Sequence, residues 1–185
     1  MNDPYIALAK KAISAFIKEK RVLPVPSDLP SEMLQKRAGV FISLHRRSTG
    51  ELRGCIGTFL PTCKNIAAEI IQNTISTSTQ DPRFLPIQAK ELDDLLVKVD
   101  ILSSPEPTRE EDLDPQKYGL IVKNDKGQTG LLLPDIPGVK TKEDQIRICK
   151  EKAFIPEGEP VQLFRFQVER HEETENAIRR NRPSH

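Results

Sequence analysis

Tryptophan is missing from this chain of 185 residues, and cysteine and histidine occur only three times each. These shortages narrow the function. Cys55, Cys63 and Cys149 are odd in number and form no C-x-x-C pair, so neither a disulfide framework nor a thiol redox motif is predicted. Their spacing does not suit an iron–sulfur cluster. His45, His171 and His185 lie far apart without paired-ligand spacing, so no metal and no cofactor are expected. No apolar run approaches the roughly 18 residues of a membrane span. The stretch up to Lys20 is amphipathic and charged rather than a continuous apolar leader, and a soluble, cytoplasmic protein is expected. Charge of one sign is also lacking. A net charge of +1 gives no overall pull toward nucleic acid or an anionic membrane.

What remains is enough for a folded domain: 37% hydrophobic and 30% charged residues. Asp3-Pro4 is a helix start, and Ile6, Ala9, Ile13, Phe16 and Ile17 follow at helical spacing. A short helix is expected around Ser31 to Lys36. Val40, Ile42 and Leu44 alternate with Phe41, Ser43 and His45 as in a strand. Arg46 to Gly50 then turns the chain into the next strand, an antiparallel hairpin. A helix is predicted from Pro61 to about Thr79, with Ile66, Ile70 and Thr74 as one row. A short helix near Gln88 to Leu95 leads to a strand through Val97, Val99 and Ile101. Pro105 to Pro115 is an acidic connection and the best candidate for a lobe boundary. A second hairpin is predicted around Asn124 to Gly127. A helix capped by Thr141 is expected to run to about Ala153, and a last strand to span Gln162 to Glu169. Hairpins with helices between them favour an α+β fold with antiparallel sheets.

The run Leu52-Arg53-Gly54-Cys55-Ile56-Gly57-Thr58-Phe59 is the most informative part. In a strand, period two puts Arg53 and Cys55 on one face and Leu52 and Ile56 on the other. The apolar pair then buries, and cation and thiol face whatever lies opposite. Gly54 and Gly57 remove bulk where a ligand or another backbone approaches. Cys55 reads as a nucleophile, as the lining of a ligand site, or as packing. Nearby cations and helix starts lower a thiol pKa, yet free cysteine is among the most buried residue types. No His or Asp can be assigned as its base. Arg53 reads as a clamp on a carboxylate or phosphate, or as a partner of Glu51, Asp81 or Glu91. Asp81-Pro82-Arg83-Phe84 is first a turn, with Asp81 and Arg83 as further candidate site residues.

These motifs, with Pro86, Glu91-Leu92, Leu102-Ser103, Pro105-Glu106, Gly130-Leu131-Leu132-Leu133-Pro134 and the helix carrying Cys149, closely resemble the AMMECR domain family. The likeness runs from about Ala9 to Glu169. The later region is similar to the branch called AmmeMemoRadiSam system protein A. The resemblance implies one domain, taken as residues 1–171, and the polar composition of 172–185 reads as a tail. The domain would have two subdomains with a cleft between them, a lobe boundary near 103–117, and the hallmark run close to the cleft. It also implies a Memo-like protein and a radical S-adenosylmethionine protein as partners. It names no reaction. Other branches carry aromatic residues, often tryptophan, between the G-L-L-L-P run and the last strand. Asp135 to Ala153 has no tryptophan, which leaves open any partner contact those aromatics make.

The expectation is a cleft protein that binds a small polar or anionic ligand through Arg53, Gly54, Gly57, Thr58, Asp81 and Arg83. Cys55 is the candidate catalytic residue, and whether the chain is an enzyme stays open. The alternative is a non-enzymatic scaffold or a peptide- or partner-binding module. A third reading, a nucleic-acid-associated regulator, rests on Arg46-Arg47 and on Arg179-Arg180 with Arg182. Few aromatics are present to stack bases, which counts against it. An enzyme should place an acid or base within roughly 3 Å of Cys55. A scaffold should expose an apolar patch beside the cleft.

Overall fold

Asp3 caps the first helix, α1 (Pro4–Glu19), by accepting the N–H groups of Tyr5 and Ile6. Pro4 sits where the missing N–H costs nothing. The structure, a computed structural model, describes residues 3–173. Next come α2 (Ser31–Gln35) and the strands β1 (Gly39–Arg46) and β2 (Leu52–Thr58), paired antiparallel as the hairpin signal predicts. Then follow α3 (Ile66–Thr79) and the strands β3 (Leu95–Leu102), β4 (Glu106–Pro107), β5 (Gly119–Lys123) and β6 (Thr129–Leu132). The last elements are α4 (Lys142–Lys152), β7 (Gln162–Phe166) and β8 (Val168–Glu172).

The chain divides into two compact units. The first runs to Ile101 and resumes at Arg170. Its sheet has the order β2-β1-β3-β8. Period two puts Val40, Ile42 and Leu44 on one face of β1, and each is 0% exposed. They pack with Ile6, Ala9 and Ile13 of α1 and with Ile66 and Ile70 of α3. β8 is held by Arg170 on Asp100 and by a 2.7 Å contact between His171 Nδ1 and Asp3. His171 also stacks on Tyr5.

The second unit, Leu102–Glu169, has the sheet order β4-β7-β5-β6. Leu120, Val122, Leu132, Cys149 and Ile155 form its core. Gly130 on β6 is obligatory, because a Cβ there would collide with the Cys149 carbonyl of α4. Thr141 caps α4 through the Asp144 N–H.

Three expectations need correction. The helix predicted from Pro61 begins only at Ile66, capped by Asn65, because Thr62 and Cys63 give their N–H groups to Glu69 instead. Cys63 therefore precedes the helix rather than starting it. The single strand predicted over Gln162 to Glu169 is two strands in different sheets, with the break at Gln167. Phe164 and Phe166 thus belong to one sheet and Val168 to the other. Glu172 and Glu173, placed in the polar tail, are bound to Lys98 and Lys10. The basic cluster of Arg179, Arg180 and Arg182 lies outside the described residues.

Phe154 follows α4 with φ +56 and is 87% exposed. The left-handed conformation suits glycine at this position. Phe154→Gly should stabilise the chain by roughly 1 kcal/mol, measured by urea unfolding. A loss of stability would refute the strain.

Candidate functional site

The hallmark strand carries a bulge. Leu44 pairs with Gly54 and His45 with Leu52, so Arg53 is the extra residue. A bulge breaks period two and re-aims a side chain. Arg53 and Gly54 are both buried, while Leu52 and Ile56 are only half-buried. The simple two-faced strand expected from the sequence is therefore not what forms.

The Arg53 guanidinium is nearly enclosed. Its Nε donates to Glu91 Oε1 at 2.9 Å, and its Nη2 donates to Glu91 Oε2 at 3.2 Å and to the Leu85 carbonyl at 2.9 Å. Glu91 was one of three partners open to it in sequence. Glu91 also accepts Arg46 Nη2 at 3.2 Å and the Gln88 N–H at 2.9 Å. The Arg53 hydrogen bonds first, then the Gln88 N–H and both cations, hold the Glu91 carboxyl below its ordinary range against the opposing effect of burial.

Asp81 is 5% exposed and also bonded on every side. It accepts Arg83 Nη2 at 2.7 Å, Arg83 Nε at 3.0 Å and the Cys55 N–H at 2.9 Å. Arg83 Nη2 lies 3.3 Å from the Cys55 carbonyl. β2 is a sheet edge, and this turn covers its backbone at Cys55. The Arg83 hydrogen bond, helped by two N–H donors, holds the Asp81 carboxyl far below the usual carboxylate range.

Cys55 stands opposite Ser43, whose hydroxyl donates to Sγ at 3.2 Å. Burial pushes the thiol up, and Ser43 and Arg83 offset this only in part. No described imidazole or carboxylate forms a hydrogen bond with Sγ. Burial also raises Cys63, and raises Cys149 to about 12.

The other candidate residues make internal contacts. A Cβ on Gly54 would lie 2.8 Å from the Thr77 carbonyl of α3, and one on Gly57 would meet the Phe41 ring. The Thr58 hydroxyl donates to Glu69 at 2.6 Å. Glu69, Asn73 and Thr77 form a buried polar stripe on α3 that the apolar rows concealed. Its signal was present as polar residues every fourth position. Burial opposes the Glu69 charge, but donors from Thr58, Cys63 and Thr62 outweigh it and leave the carboxyl lowered.

Two depressions border Leu85. One, of about 540 Å3, is lined by Arg46, Glu51, Leu52, Arg53, Arg83 and Phe84 as well as Leu85. The other, of about 350 Å3, shares Arg46, Arg53 and Leu85 and adds Lys90 and Glu91. Cys55 lines neither. Arg46, read in the sequence as part of a basic spot that could meet nucleic acid, lines both depressions. Its Nε and Nη1, and Nη1 of Arg83, make no hydrogen bond among the described residues. Among those residues no three His, Cys, Asp or Glu side chains gather to hold a metal, and no helix is long and apolar enough to cross a membrane.

The sequence and the α+β fold have counterparts. The family model named AMMECR1 matches residues 6–171, and the chain belongs to that family. A protein of Thermotoga maritima is 51% identical over 92% of this chain and 98% of its own length. A protein of Clostridium acetobutylicum is 42% identical over 94% of this chain but only 36% of its own length. The crystal structure of the uncharacterized protein PH0010 from Pyrococcus horikoshii has a TM-score of 0.82 at 30% identity, covering 91% of this chain and 89% of that one.

Removing Arg53 leaves Glu91 with only Arg46 and the Gln88 N–H, so Arg53→Ala should cost roughly 3 kcal/mol, the low end for breaking a buried pair, in denaturant unfolding. A loss below about 1 kcal/mol would instead favour a ligand clamp. Asp81 and Glu91 bind fewer protons folded than unfolded, so their stabilisation is complete above the ordinary carboxylate range near pH 4 and is lost as pH falls below it. Melting temperature should fall between pH 5 and about pH 3. Asp81→Asn should flatten that slope, and an unchanged slope would contradict the assignment. In alkylation followed on each cysteine, Cys63 should react first, Cys55 later and Cys149 last. Cys55 reacting first at neutral pH would restore the nucleophile reading.

Proposed function

We propose that this chain is a binding module, and that the depression beside the hallmark strand receives an anionic group. The observation carrying this reading is the pair Arg46 and Arg83, which line one 540 Å3 depression with guanidinium N–H groups left unbonded. Guanidinium groups suit carboxylates and phosphates alike. Phe84 and Leu85 add apolar contact. Arg53, tied to Glu91, sets the floor and orients Arg46 through the shared carboxylate. Asp81 acts through Arg83 in the same manner.

A catalytic Cys55 receives less support. A nucleophilic thiol needs a lowered pKa or a neighbouring base. Here burial raises the thiol, and among the described residues its one side-chain hydrogen-bond partner is a hydroxyl. The arrangement therefore favours the non-enzymatic alternative while keeping the anionic ligand of the leading one. Memo-like and radical S-adenosylmethionine proteins remain the partners of this proposal, carried by the resemblance of the later region.

Titration with inorganic phosphate, followed by amide NMR at constant ionic strength, tests the reading. Saturable shifts should cluster at Arg46, Leu52, Phe84 and Leu85. Arg46→Gln should weaken them about tenfold, the worth of one charge-assisted contact. Shifts that do not saturate, or that cluster elsewhere, would overturn the site.

A further inference from the structure

We infer that the natural occupant of this depression is an acidic, extended segment of a partner protein that lays an apolar side chain against Leu85. This rests on the anion-binding reading above and names its ligand. Leu85 is 81% exposed and borders both depressions. An isolated exposed leucine needs no explanation. This one stands among Arg46, Arg83 and Lys90, whose charge is offset in part by Glu51 and by Asp81, which is bound to Arg83. Arg53 and Glu91 neutralise each other beneath it. The result is an aliphatic knob within a cationic surround. Its complement is an apolar side chain flanked by carboxylates.

The geometry also selects the mode of recognition. A drug-sized ligand usually has most of its surface enclosed. A ligand here would cross a leucine that stands in solvent. A segment spanning both depressions contacts Arg46 from either side, which a single small anion does not. Strand addition is closed, because Asp81 and Arg83 already occupy the Cys55 amide and carbonyl on the sheet edge. Side chains therefore do the reading. Nucleic acid fits less well. The Phe84 ring carries Arg53 and Arg83 at 5.8 and 5.4 Å, which leaves an aliphatic Leu85 as the exposed apolar group. Stacking platforms for bases are aromatic.

Selection from a phage-displayed random peptide library on the full chain tests this. Enriched sequences should be acidic with at least one large apolar residue. As synthetic peptides, they should bind at least tenfold more weakly to Lys90→Glu and about fivefold more weakly to Leu85→Ser. Both positions are exposed, and circular dichroism checks that each variant folds. Enrichment of neutral or basic peptides, no enrichment, or acidic peptides indifferent to both variants would overturn the inference. So would a single-stranded oligonucleotide that displaces the peptides at lower concentration than they bind. Phosphate titration separates the two levels. Phosphate binding at Arg46 without acidic peptides removes only this inference, whereas loss of both removes the anion site.

Discussion

An edge strand presents amide and carbonyl groups that must find partners, and β2 is such a strand. Much of the first unit is arranged around that requirement. The Asp81–Arg83 turn covers Cys55 on that edge, while on the inner side Thr77 of α3 accepts the Ile56 N–H at 3.2 Å and donates to the Ile42 carbonyl of β1. α3 packs so closely on β2 that no side chain fits between them at Gly54, which lies against Thr77. The bulge at Arg53 follows the same logic. It turns the guanidinium onto Glu91 and the Leu85 carbonyl, which fixes the chain leaving the turn. The hallmark residues thus form one network rather than separate devices.

This network places charge unevenly. Asp81 and Glu91 are buried or nearly so, and each is surrounded by donors. The arginines that serve them lie progressively farther out, with side chains 8% exposed at Arg53, 37% at Arg46 and 54% at Arg83. Anions inside and cations outside put guanidinium groups at the surface of this site without a large excess of basic residues in the chain. Composition alone, at a net charge of +1, conceals it.

Local signals were legible in the sequence and long-range ones were not. Both hairpins, the Asp3 and Thr141 caps and the apolar faces of α1 and β1 follow from neighbours a few residues apart. The bulge at Arg53 depends on Glu91, 38 residues away, and no local pattern marks it. The break at Gln167 depends on which sheet accepts each half of an otherwise continuous strand pattern. The Glu69–Asn73–Thr77 stripe was visible as spacing, but its meaning required β1 and β2 beside it. At the site, Arg53, Asp81 and Arg83 were named from residue type and spacing and Arg46 only as a basic spot at the hairpin tip, whereas Lys90 and Leu85 entered only through geometry.

Glu69 shows why a buried charge here need not signal chemistry. It is 0% exposed and has no ion-pair partner among the described residues, which would ordinarily drive protonation. Four donors prevent this: the hydroxyls of Thr58 and Thr62 and the N–H groups of Thr62 and Cys63. It also lies in the first turn of α3, where the helix favours negative charge. The carboxylate is therefore a tether between the end of β2, the following loop and α3. The same argument applies to Asp81 and Glu91, so the perturbed carboxyls in this unit mark where the backbone is held. The groups left to meet a ligand are the partly exposed cations they organise.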